Sequence, residues 1–268
     1  MLLATVVSAF GCTSYESEEA TLSDPDMLVT VRDGAITAPG SIESGWSRIR
    51  VEEDGNGHIV VIFRMPSDTS IDVATFLAAL DTARATPLNV VAMGGPEVGD
   101  AGEILVNLTE GTYVLGCVRR GDDGHRHANS GESATFEVIA PSAVAKPGGD
   151  RVPVATVDVP MADFAYIGSD QWRAGEHLLR VENRGAQEHQ LRIDRLADGS
   201  IIADWAGPNG GNKHGSPVAG VARLGPGEVV YLPVALPAGE YVLYCLIPEL
   251  ASGKLHIEMG MLRGIHVK

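Results

Sequence analysis

The segment YVLYCLIPELASGKLHIEMGML, residues 241–262, places Cys245, His256, Met259 and Met261 within seventeen positions of one another, in a chain with three cysteines and eight histidines. A thiolate, an imidazole and a thioether are soft or borderline donors, the set that copper prefers. The other reading of the same residues is a strand and loop whose sulfur atoms fill a core. A second imidazole lies upstream, where His189 in ENRGAQEHQL stands at the head of a candidate strand.

The elements that would position these donors occur twice. LTEGTYVLGC (108–117) and LPAGEYVLYC (236–245) share a glycine turn followed by Tyr-Val-Leu-x-Cys in strand alternation. WSRIRVEEDGNGHIVVIFRM (46–65) matches EHLLRVENRGAQEHQLRIDRL (176–196) with one gap, which sets His58 against His189. GHRHANSGES (124–133) matches GKLHIEMGML (253–262), so His127 falls on His256 and Glu132 on Met261. The repeat predicts two domains, 27–140 and 155–268, joined by the Pro/Gly-rich APSAVAKPGGDRVP (140–153). Short strands at regular spacing predict an all-β pair of tandem Greek-key β-sandwiches. The first copy carries an inserted short helix within DTSIDVATFLAALDTARA (68–85), with Ser70 or Asp68 as its N-cap. The second copy has a shorter equivalent near SIIADWAG (200–207).

His189, Cys245, His256 and Met261, in that order, resemble the ligand set of the cupredoxin family, the blue copper proteins of plastocyanin and azurin type. ENRGAQEHQL is similar to the family's strand-end histidine motif, and YVLYCLIP…H…GM to its ligand loop. The resemblance covers both repeats. It implies mononuclear copper in the second domain, bound by two imidazoles, one thiolate and a weak axial thioether, and a role in one-electron transfer. His256 would then be the solvent-exposed exit for the electron, while Leu246, Ile247, Leu255 and Ile257 keep water out. The Cys245–His256 gap is longer than in the small carriers; Pro248 and a reversal at Gly253 are expected to fold it back. Met259 competes for the axial place, but the repeat alignment favours Met261, leaving Met259 to pack inside or cap the loop. The first copy offers His58, Cys117, His127 and Glu132, a degenerate set whose carboxylate is harder than a thioether. Its loop, CVRRGDDGHRHANSGE, lacks the apolar shield.

Other features narrow the function. A formal charge of −15 argues against nucleic acid or an anionic membrane surface as partner and suits docking to a basic patch on a redox partner protein. No phosphate loop or nucleophile elbow is present. Tyr244 and Gly116, not histidines, precede the two cysteines, which argues against a coupled multicopper enzyme and for a carrier. The apolar run Leu2–Phe10 ending in Gly11-Cys12 resembles a lipoprotein signal, with Cys12 lipidated and residues 1–26 forming signal and acidic tether. It implies an extracytoplasmic, periplasmic or cell-surface protein, held to the membrane by a lipid anchor alone. His125, His214 and His266 are read as surface residues, and Trp172 and Trp205 as packing. A Cys117–Cys245 disulfide is disfavoured, since equivalent positions of two domains rarely come within bridging distance. The competing readings are a metal-free β-sandwich binding module and a copper scavenging or delivery protein.

Overall fold

The computed structural model describes residues 24–32, 34–54, 57–68, 71–97, 101–142, 151–206 and 214–268. Cys12, Ser70 and residues 143–150 of the inter-repeat segment lie outside the described residues.

Alternation drives the strands. In β1 (Met27–Arg32), Met27, Val29 and Val31 point inward and their neighbours outward. The same period runs through β2 (Ala35–Thr37), β3 (Ser41–Glu43) and β4 (Gly45–Glu53), whereas β5 (Val60–Arg64) is buried on both faces, Val60 and Ile62 in the main core and Val61 and Phe63 under the inserted helix. β6 (Val91–Ala92), β7 (Ala101–Leu108), β8 (Gly111–Cys117) and β9 (Ser133–Ile139) complete the first half. The second half repeats the order in β10 (Val157–Ala162), β11 (Ala165–Tyr166), β12 (Gln171–Trp172) and β13 (Gly175–Asn183). It continues through β14 (His189–Leu196), β15 (Gly215–Leu224), β16 (Val229–Leu236), β17 (Gly239–Tyr244) and β18 (Leu262–Val267).

The repeated Tyr-Val-Leu-x-Cys has a physical cause at its tyrosine. Tyr113 Oη donates to Thr109 O at 2.9 Å, and Tyr241 Oη to Pro237 O at 2.7 Å. Each ring is buried while its hydroxyl ties the turn to the strand, a tyrosine corner. The corner fixes the register of β8 and β17, and hence where each cysteine emerges at the strand end.

Each half is a β-sandwich, as the sequence predicts. The halves are nevertheless not two beads on a linker, because they are joined edge to edge in both layers. One layer is a single eight-stranded sheet, β11-β10-β13-β16-β7-β4-β1-β2, with β7 and β16 pairing across the junction at Val106–Val230 and Leu105–Tyr231. The facing layer comprises β3-β9-β8-β5-β6 and β12-β18-β17-β14-β15. Residues 92–97 lie between β5 and β15: Met93 N donates to Ile62 O, Gly94 N to Arg223 O, and Ala222 N to Gly95 O. Unpaired sheet edges invite pairing with other chains, and here each half covers the other's edge.

The inserted helix α1 spans Val73–Thr82, shorter than the segment 68–85. Its N-cap is Asp72 rather than Asp68, because the Asp72 carboxylate accepts from Thr75 N at 2.7 Å and so satisfies an otherwise orphaned amide. Phe76 and Leu80 seat the helix on Phe63, Val61 and Val114, each such burial being worth about 1.5–3 kcal/mol. At its C-terminal end Arg126 donates to the carbonyls of Leu80 and Ala83. Just beyond, Arg84 donates to Leu250 O at 2.8 Å. A second helix, α2, covers Ile202–Ala206 in the second half. Among the described residues no helix is long and apolar enough to cross a membrane.

Candidate metal centre

β14 opens on His189, and Cys245 directly follows β17, its partner in the same sheet. The loop after Cys245 does fold back. Pro248 and Leu255 form an antiparallel bridge, Glu249 N donates to Lys254 O at 2.7 Å, and Gly253 turns the chain with a positive φ. The return leg enters a single 3-10 turn, His256–Met259, closed by Gly260. Backbone hydrogen bonds then lock it: Ile257 N to Cys245 O at 2.9 Å, His256 N to Ile247 O at 2.9 Å, Met261 N to His256 O at 2.9 Å.

Three donor atoms converge as a result. His189 Nδ1 lies 3.1 Å from His256 Nδ1, and Cys245 Sγ lies 3.5 Å from His256 Nδ1. Ligands of one first-row ion, with bonds of about 2.0 Å to nitrogen and 2.3 Å to sulfur at near-tetrahedral angles, stand roughly 3–3.5 Å apart. All three residues are buried. Met261 is buried too, and its carbonyl accepts from Cys245 N at 3.3 Å, which holds its backbone to the same cluster. Met259 is 39% exposed, so of its two expected places the interior is ruled out; it ends the 3-10 turn of the loop, facing solvent.

The ring atoms define the electrostatics. His189 Nε2 stands 3.0 Å from Asp163 Oδ1 and donates to it, which leaves its Nδ1 lone pair facing the cluster. Burial raises the Asp163 carboxyl, but the His189 N–H and the amides of Ala186 and Gln187 outweigh it and hold the group below its usual range. Burial lowers the His189 imidazole; burial and then the His189 ring push His256 down to about 4, so both rings are neutral, as metal ligands must be. Burial pushes the Cys245 thiol up to about 11, so a thiolate here needs a cation beside it. Gly185 lies directly against the His189–Asp163 pair: a Cβ there would stand 2.5 Å from His189 Nε2 and 2.4 Å from Asp163 Oδ1.

The exposure expected of His256 is not found. His256 is fully buried beneath Phe164, whose ring meets it edge-on at 5.1 Å between centroids. Ile247 is buried and Leu246, Leu255 and Ile257 half-buried beside it, but the cover comes from the β10–β11 hairpin, distant in sequence. Asp163, Phe164, Gly185 and Gln190 were not singled out from sequence. A signal did exist for Asp163, because VRDGAI (31–36) and MADFAY (161–166) carry an aspartate at the same position of both repeats. Gln190 accepts from Leu246 N at 3.0 Å and donates to the buried Glu97 of the first half, linking the two halves beside Cys245.

The first half gathers its four residues as well. Glu132 sits between the rings, its carboxylate 2.7 Å from His58 Nδ1 and 3.1 Å from His127 Nδ1. Cys117 Sγ is further off, 3.9 and 3.8 Å from the same nitrogens, and burial pushes its thiol to about 12. His127 heads a matching 3-10 turn, His127–Ser130, and its side chain is 24% exposed. Arg119, Arg120, Asp122 and Asp123 around it are solvent-facing, in place of an apolar shield. His125 and His266 lie on the surface, paired with Asp81 and Glu240, and Trp172 and Trp205 are buried. Cys117 and Cys245 are free thiols, each inside its own half.

No protein-family model matches the chain, and no curated protein matches it. Solved structures similar in part include a dithionite-reduced auracyanin of Roseiflexus castenholzii, 20% identical over 42% of this chain and 95% of that one, with a TM-score of 0.29. Across both halves, the chain is similar to a multi-copper oxidase from Pediococcus acidilactici, at 14% identity over 90% of this chain and 58% of that one, TM-score 0.28. A copper-containing nitrite reductase from Thermus scotoductus is similar at 14% identity over 91% and 61%, TM-score 0.24. Superpositions this partial say nothing about activity. The donors themselves suit copper: two neutral imidazoles and a thiol in a dry pocket.

Proposed function

We propose that the chain is an extracytoplasmic one-electron carrier with a single mononuclear copper held in its second half. His189 Nδ1, His256 Nδ1 and Cys245 Sγ would be the strong ligands and Met261 a weaker one. The observation that carries this reading is the convergence of three buried donor atoms from β14 and the tail loop, two of them neutral nitrogens 3.1 Å apart. Copper bound there would cycle between cuprous and cupric states. The chain's own residues do the rest. Asp163 fixes the His189 tautomer, the hydrogen-bonded loop 245–261 holds the donors at one separation in both states, and burial excludes water that would otherwise reorganise with each electron.

The carrier reading over an oxidase rests on Tyr244 and Gly116, which stand where a histidine wired to a second reaction centre would be needed. Leu2–Cys12 supports export and a lipid anchor, and the charge of −15 supports a partner with a basic docking patch. The first-half set, with its carboxylate, is the weaker candidate for a second ion.

The test is the visible spectrum of the purified protein loaded with Cu(II). An intense thiolate-to-copper band that disappears in Cys245→Ser and survives in Cys117→Ser is the expected result. A colourless protein without tightly bound copper would refute the proposal.

A further inference from the structure

The two halves differ at one hairpin tip that meets the donor cluster. In the first half β1 and β2 are connected through Asp33-Gly34; in the second, β10 and β11 are connected through Asp163-Phe164. Gly34 and Phe164 therefore stand at the same place in the repeat. Both have left-handed backbone, with φ of 73° and 63°. Glycine adopts that conformation freely, whereas a bulky side chain is strained in it. Strain of this kind persists where the surroundings enforce it, and it clusters at functional sites.

What the strain achieves is visible in the contact. The Phe164 ring stands at 87° to His256, 5.1 Å away, and closes the side on which His256 would meet solvent. Among the described residues His256 Nε2 is buried without a hydrogen-bonding partner, while its repeat counterpart His127 is partly open. The neighbouring tip residue, Asp163, engages the other ring through His189 Nε2. One two-residue tip thus occupies the outer edges of both imidazoles.

We propose that Phe164 is a cover that seals the second-half cluster, so that water-borne reagents and chelators reach it only when the hairpin tip swings aside, while the first-half cluster stays open through His127. The consequence for metal exchange rests on the copper reading; the cover itself does not.

The experiment labels the metal-free protein with diethyl pyrocarbonate, which acylates accessible neutral imidazole nitrogens, and reads each histidine by peptide mass spectrometry. Exposed His266 serves as the internal reference. In the wild type, His256 is expected to react at least about tenfold more slowly than His266, its access limited by local opening. Phe164→Gly and Phe164→Asn, both compatible with left-handed backbone, should bring His256 to within roughly threefold of His266 while buried His189 stays protected as a check that the fold is intact. Wild-type His256 labelled as fast as His266, or unchanged protection in both variants, would overturn the proposal. In a second arm, copper loaded into the Phe164→Gly protein should pass to a hydrophilic chelator at least about tenfold faster than from wild type; equal rates would overturn the gate. A wild type that takes up no copper removes the metal reading alone, and the labelling pattern still decides the cover.

Discussion

The two donor clusters come from one repeated loop, yet they resolve the same electrostatic problem in opposite ways. In the first half, Glu132 places a carboxylate between His58 and His127, so both imidazole N–H groups already have an acceptor within the protein. In the second half, Met261 stands in that position and its thioether is at best a weak acceptor. His189 Nδ1 and His256 Nδ1 then face each other at 3.1 Å with a thiol alongside, a set that a soft cation completes better than any side chain nearby. A cluster satisfied internally has less need of an ion than one left short of a partner.

The largest effect should come from breaking the first cluster. Glu132→Met deprives His58 and the partly open His127 of their shared acceptor and is expected to cost about 2–3 kcal/mol in the stability of the metal-free protein, read from urea unfolding. A variant as stable as wild type would mean that the carboxylate is not what holds those rings. The converse substitution, Met261→Glu, should stabilise the metal-free second cluster and weaken the thiolate-to-copper band, bringing the two halves closer in behaviour.

Next in size is the support of the metal ligands. Asp163→Ala frees the His189 tautomer and should lower copper affinity by about 10–100-fold in a competition titration. Asp54, near His58 Nε2 in the first half, serves as the control: Asp54→Ala should leave that affinity unchanged. Equal losses in both variants would erase the distinction between the clusters.

A smaller effect tests how far the second cluster depends on the first half. Glu97, buried at the junction, accepts from Gln190, which in turn holds Leu246 N beside Cys245. Glu97→Ala leaves Gln190 short of a partner and should cost about 1–3 kcal/mol, whereas Glu97→Gln keeps a partner and should cost far less. The smallest effect is its pH dependence. Burial raises the Glu97 carboxyl above the ordinary 4.5, so above that pH the folded state holds the proton more tightly than the unfolded state does. Its contribution to stability therefore falls as pH rises through the raised value. The stability of Glu97→Gln relative to wild type should grow over the same range in thermal melts, and a flat difference would show that Glu97 is ionised at no cost.

Much of this was legible in the residues. Tyr113 and Tyr241, each four residues after the carbonyl they bind, imprint a local geometry that repeats as a motif. The order His189, Cys245, His256, Met261 needs only strand ends and one loop, and the loop's return at Gly253 is a short-range event. The helix was visible from its period, but its cap was misplaced because several side chains nearby could serve, and only Asp72 meets Thr75 N. Fusion of the sheets, the one-sided contribution of Glu97 and the burial of His256 under Phe164 were not legible. Each joins segments far apart in the chain, and no local pattern marks which strand edge will meet which.

By itself the sequence determined the kind of chemistry: which donor types occur, in what order, and that one copy carries a carboxylate where the other carries a thioether. Those are properties of side chains and of spacing along a single strand and loop. Only the tertiary structure decided which cluster is closed and which is open, because burial is set by whatever packs across from a residue. Here that is a hairpin tip arriving from some ninety residues upstream of His256.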